Sequence, residues 1–192
     1  MPSMVYESKN EIPTIDVSLV TIQTLEREFG FKTSNQIEVE AQVEEQDAVK
    51  LVVKGVLIAQ KQKEVTITGN QITLHDNVFN PELVVALQGG KITYSMEEPK
   101  KITGYTPPLS GTAEKGEVFT LNVYTAQYDS SGQIVQYEKT SFPNCQGQPV
   151  SFSSEDGAFR APEYIIDSAP KAGEAPYTIT YVDSLPALQA NE

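Results

Sequence analysis

Residues 36–44 read QIEVEAQVE, and the strict alternation of that stretch decides how the rest of the chain is read. Ile37, Val39, Ala41 and Val43 fall on one side of an extended chain. Gln36, Glu38, Glu40, Gln42 and Glu44 fall on the other. Successive side chains of a strand point to opposite faces, so the pattern predicts a half-buried strand with a strongly acidic wet face.

Working outward, VSLVTIQTLE (17–26) is rich in β-branched residues and predicts a second strand. VKLVVKGVLIAQ (49–60) is either two strands around a turn at Lys54-Gly55 or one long strand with a glycine bend. VTITGNQITL (65–74) leaves a similar choice: a two-residue Gly-Asn hairpin, or a bulge within one strand. EVFTLNVYTAQYD and QIVQYEKTSF flank DSSG (129–132), which makes a hairpin with a glycine-ended turn. QPVSFSSEDGAFRAPEYIIDS predicts another hairpin closed near Asp156-Gly157, and APYTITYVD a last strand.

One stretch departs from this pattern. NPELVVALQGG (80–90) reads as a short helix: Asn80 caps it, Pro81 suits its first turn, Glu82 favours its positive end, and Gly89 or Gly90 stops it. Eight residues do not hold a helix in isolation, so Leu83, Val84, Ala86 and Leu87 must dock on a sheet. The chain is therefore expected to be mainly β. The expected architecture is a β-sandwich or partial barrel of two packed sheets, with one flanking helix at about residues 80–89. The expected organisation is an N-terminal arm (1–16), a β-domain (17–186) with a loop insertion at about 97–116, and a C-terminal tail (187–192).

The bulk numbers bound the function. A chain of 192 residues can bury a proper core without disulfides. Its single cysteine, Cys145, excludes an intrachain disulfide and fits a reducing compartment. The start MPSMVYESKN has no apolar run behind a basic segment, and no window matches a membrane span. A soluble protein made in the cytoplasm, without membrane insertion, is expected. A net charge of −12 argues against binding nucleic acid by neutralising phosphates.

Catalytic patterns are missing. A histidine base has one candidate, His75, in TLHDN, and it reads as a turn or surface residue. Cys145, in FPNCQGQP, reads as a buried or half-buried loop thiol rather than a nucleophile. One Cys and one His cannot build a structural zinc site. The acidic pairs Glu44-Glu45, Glu97-Glu98 and Glu155-Asp156 lack the aromatic platforms of a sugar-cleaving site, and the chain has no Trp. No phosphate-cradling glycine motif is present, and no cofactor or metal is expected. The residues alone point to a β-domain for binding or assembly.

Two longer runs carry a resemblance. ITGNQITLHDNVFNPELVVALQGGKITYS (67–95) and SFPNCQGQPVSFSSEDGAFRAPEYIIDSAPKAGEAPYTITYVDSLP (141–186) resemble tail tube proteins of phages, phage-like elements and phage-tail-like bacteriocins of Gram-positive bacteria. The similarity lies in the order and spacing of the pieces across residues 36–186. The resemblance implies a structural, non-enzymatic subunit without cofactor. It implies homo-hexameric rings that stack head to tail, each subunit giving strands to a continuous inner barrel. Tubes of contractile injection systems look built on the same plan. Sheath, tape-measure and baseplate or terminator proteins are the further partners implied, in a virion tail or phage-tail-like particle assembled in the bacterial cytoplasm.

Two expectations follow from that resemblance. Glu38 and Glu40 line or approach the lumen, where a negative wall lets DNA or ions pass without specific binding; the opposite placement, on the outside of the tube, fits the sequence equally. The N-terminal arm and the 97–116 loop order against neighbouring rings, so deleting residues 2–12 should stop polymerisation. The alternative reading is a standalone β-sandwich module for a host surface or a carbohydrate.

Overall fold

The computed structural model describes residues 13–97, 99–112, 116–157 and 160–188. Residues 1–12 of the expected arm, Glu98 and the last four residues of the expected tail lie outside these. In chain order the strands are β1 (Thr14–Gln23), β2 (Glu28–Phe31), β3 (Ser34–Gln46), β4 (Val49–Val53), β5 (Val56–Lys61), β6 (Glu64–Asp76), β7 (Lys91–Tyr94), β8 (Ile102–Thr106), β9 (Phe119–Tyr128), β10 (Ile134–Gly147), β11 (Ser151–Phe152), β12 (Pro162–Ser168) and β13 (Thr178–Val182). The helix α1 (Pro81–Gln88) lies between β6 and β7.

Nine strands form one antiparallel sheet in the order β2-β1-β9-β10-β12-β6-β3, with β11 added on β12 and β13 on β10. β1 and β3 stand near opposite ends of this path, yet they touch. The sheet therefore curls on itself, and its two halves are the packed layers of a partial barrel. Val20, Ile22, Ile72, Leu74, Leu121, Phe142, Tyr164 and Ile166 meet in one core between the halves. β4–β5 and β7–β8 are separate two-stranded ribbons.

The helix closes this core. Leu83, Val84, Ala86 and Leu87 are buried, the leucines and valine each contributing about 1.5–3 kcal/mol by leaving water. Asn80 Oδ1 accepts the backbone N–H of Glu82 at 3.0 Å and of Leu83 at 3.3 Å. Pro81 occupies the first turn, and the Gly89 N–H closes the last by donating to Val85 O at 2.9 Å. Gly89 and Gly90 both take positive φ, at 81° and 94°. The phenol of Tyr164, in the core, accepts the Asn80 N–H at 3.4 Å and ties the helix entrance to β12.

Both open choices in the sequence are resolved. Residues 49–61 are two strands around Lys54-Gly55, whose φ values of 48° and 82° suit a tight hairpin turn. Residues 64–76 are one strand. Gln42 faces Gly69 and Val43 faces Ile67, leaving Thr68 as a bulge whose hydroxyl bonds Gln42 O at 3.2 Å. A Cβ on Gly69 would lie 2.2 Å from the Ser168 carbonyl oxygen. The glycine is there because β12 passes too close for a side chain.

Three features differ from the expectations or add to them. First, the 97–116 stretch is not all loop. Ile102–Thr106 is a strand, held to the helix end by Tyr105, whose hydroxyl donates to Gly89 O at 2.9 Å and accepts from Gln88 Nε2 at 2.7 Å. Second, Asn122 and Tyr124, on the face of β9 opposite Leu121 and Val123, are buried as well. Leu188, from the expected tail, lies over Gly30, Thr21 and Leu19 on that side of the sheet. There Asn122 Nδ2 donates to Thr21 Oγ1 at 3.1 Å and Ser141 Oγ donates to Asn122 Oδ1 at 2.8 Å. Third, the apolar side of QIEVEAQVE is not half-buried along its length. Val39 is 48% exposed and Val43 is 46% exposed. That side faces the core only as far as Ile37; beyond it the facing layer no longer covers β3.

Candidate assembly surface

Three surfaces are left unsatisfied by the fold, and all meet at β3 and β6. The outer face comes first. Glu40, Gln71 and Asp167 are neighbours across β3, β6 and β12, followed by Glu38, Thr73 and Ile165, then Gln36, His75 and Glu163. Ile72, Leu74, Tyr164 and Ile166 alternate with them and point into the core. Four of the nine outer positions are carboxylates, and none is Lys or Arg. Glu38 and Glu40 are exposed here, pointing away from the core. Gln36 Nε2 donates to Glu38 at 2.7 Å. Asp167 is held by Gln71 Nε2 at 3.2 Å and Gln148 Nε2 at 2.7 Å, so amides rather than cations organise this wall.

The inner side of the same strands forms the second surface. Where the two layers part, they leave an open cleft of about 330 Å³ lined by Val39, Ala41, Asn70, Thr140, Phe142 and Tyr177. Asn70 is fixed at its base by donating to Pro176 O at 3.0 Å. Phe142 and Tyr177 pack at a tilt of 47°, with ring centroids 6.0 Å apart. Ile179, opposite Thr140 across β10 and β13, carries the apolar wall outward and is about half exposed.

The third surface is the ribbon β4–β5, which extends the β3–β6 ladder past the Gln46–Glu64 pair. Every residue from Glu38 to Thr68 is exposed. On the ribbon these include Val49, Leu51, Val52, Val53, Val56, Leu57 and Ile58. Residues 48–63 contain four lysines and no Asp or Glu, against the chain's net −12. Lys61 pairs with Glu64 at 3.3 Å and Lys63 with Glu45 at 2.6 Å; both pairs are half exposed and stabilise little. Lys50 and Lys54 form no ion pair among the described residues.

The weighed catalytic candidates are not assembled. His75 is half-buried in β6 beside Gln36 and Glu163. Cys145 is in strand β10, not in a loop. It is fully buried, and burial pushes its thiol up to about 11. A protonated, enclosed thiol is a poor nucleophile. No cluster of three metal-ligating side chains occurs among the described residues, and no described helix is long and apolar enough to cross a membrane.

Sequence reasoning placed Glu38 and Glu40 on one face but missed their partners Glu163 and Asp167, which come from distant segments. It left 49–60 open between this ribbon and one long strand, and did not read its apolar stretch with lysines and no acid as an exposed surface.

No family model matches the chain, and no curated protein matches it. Solved structures similar to it include a chain of the sheath-tube complex of an extracellular contractile injection system (PVC) in its extended state. That chain is 12% identical over 91% of this chain and 94% of its own length, with a TM-score of 0.44. Another is a chain of the baseplate of the anti-feeding prophage (AFP), 9% identical over 88% of this chain and 97% of its own, with a TM-score of 0.39. Identities and scores this low carry no residue-level information.

Proposed function

We propose that this chain is the structural subunit of a phage or phage-like tail tube, forming hexameric rings that stack into a tube with an acidic lumen. The observation that carries this reading is the outer face of β3, β6 and β12, where Glu38, Glu40, Glu163 and Asp167 stand without a single cation. Such a wall repels phosphates and gives DNA or ions a passage without a binding site. A surface meant to recognise nucleic acid needs the opposite charge.

Self-assembly has its own support. β3 is the last strand of the sheet path, and an edge strand with free backbone groups is a template for another chain. Sheath, tape-measure and baseplate or terminator proteins are the further partners in this reading, and the subunit makes or breaks no bond.

Negative-stain microscopy of the purified protein tests the proposal. Rings or tubes support it; isolated particles at high concentration overturn it in favour of a standalone binding module. In a reconstruction of assembled tubes, Glu38 and Glu40 should face the channel. Carboxylates on the outside would refute the acidic lumen while leaving the tube.

A further inference from the structure

We propose that the β4–β5 ribbon of one copy docks in the cleft between β3–β6 and β10–β13 of a second copy. This rests on the self-assembly reading above and names the contact that would carry it.

The donor is a ribbon with no support from its own body. Seven large aliphatic side chains are exposed on this two-stranded unit, Val49, Leu51, Val53 and Val56 on one face and Val52 and Leu57 on the other. An isolated hairpin is marginal in water, so this one gains order by packing elsewhere. The acceptor is the outward continuation of the core. Ile72 and Phe142 are buried at its inner end, while Val39, Val43, Ile67, Tyr177 and Ile179 remain about half exposed along its walls. None of these residues is charged, and no cation stands among the residues that line the cleft.

Charge fits the pairing. The ribbon brings Lys50 and Lys54 without ion-pair partners among the described residues. Beyond Thr140 on the same face of β10 lies Glu138, opposite Tyr181, and Asp183 follows β13. A lysine-bearing ribbon entering this cleft moves toward carboxylates in a chain that is otherwise repelled by its copies.

The ribbon cannot reach its own cleft. Residues 42–46 pair with 64–69 up to its base, so the ladder that forms one cleft wall also carries the ribbon away along that wall. The contact is therefore between different patches on two copies. Such a contact closes a ring or propagates along an axis.

Two variants separate donor from acceptor. In the first, residues 47–63 are replaced by Asn-Gly; Gln46 and Glu64 are opposite one another, so a two-residue turn closes the ladder. It keeps the cleft and lacks the ribbon. In the second, Tyr177→Asp keeps the ribbon and blocks the cleft. Circular dichroism should show both bodies folded. Each alone should assemble at least about tenfold less readily than the native chain, and the mixture should give a one-to-one pair by light scattering. Leu57→Cys mixed with Ile179→Cys should cross-link on oxidation, whereas either alone should not.

If the native chain forms rings but the mixture stays monomeric and the cysteines do not join, this contact is wrong and the tube reading survives. A native chain that stays monomeric overturns both. Ribbon-dependent binding to anionic phospholipid vesicles or to DNA, without self-association, also overturns the proposed occupant.

Discussion

Leu87 and Leu57 are the same residue type in opposite situations. Leu87 is fully buried where the helix closes the core. Leu57 is 52% exposed on a ribbon that leaves the body. Leu87 belongs to the same core as Tyr164, Phe119 and Cys145, all buried within their own chain. Around Leu57 the neighbours are valines in water. The body uses its apolar residues to fold, whereas the ribbon holds its apolar residues in reserve. Burial in one region thus reports stability, and exposure in the other marks a candidate contact surface.

The comparison predicts opposite consequences for similar substitutions. Leu87→Ala should lower stability by about 2–5 kcal/mol, read from urea denaturation, because the helix cannot collapse into the cavity left behind. Gly69→Ala should cost about 1–3 kcal/mol, since the added carbon meets the Ser168 carbonyl and β12 must move. Asn80→Ala should cost about 1 kcal/mol by freeing two helix N–H groups, with the midpoint shifted and the slope unchanged. Leu57→Asp should change body stability by less than about 0.5 kcal/mol while sharply reducing assembly in sedimentation. A large loss of stability there would show that the ribbon belongs to the body after all.

Alkaline titration sharpens the same contrast. Burial raises the Cys145 thiol from 9.0 to about 11 and the Tyr164 phenol from 10.0 to about 12. Both groups stay neutral when folded and ionise first in the unfolded chain. Their contribution is complete below pH 9 and is lost as pH rises toward 12. Tyr164→Phe should flatten the part of that loss above pH 10, measured by denaturation at stepped pH.

Much of this was legible in the residues. The alternation at 36–44, the helix frame at 80–90 and the hairpin at 129–132 are local signals, and local geometry follows them. Asp129, for instance, holds its turn by accepting from the Ser131 N–H and hydroxyl and from the Gln133 N–H. Long-range facts were not legible. Nothing near Gly69 says that Ser168 will lie against it, so turn and bulge looked equal. Nothing near Asn122 says that Leu188 will cross that side of the sheet. The acidic wall was half visible: β3 supplies Glu38 and Glu40 by alternation, whereas Glu163 and Asp167 join them through pairing between segments far apart in sequence. The cleft was invisible, because alternation reports which side a residue faces and not how far the opposite layer extends.

The lysines of the ribbon have a consequence during synthesis. VKLVVKGVLIAQ is a β-prone, apolar window that would stack on its own kind in a crowded cell. Lys50 and Lys54 interrupt it, and like charges on adjacent copies keep identical windows apart. Identical ribbons are thus repelled from one another, whereas a surface that bears carboxylates exerts no such repulsion.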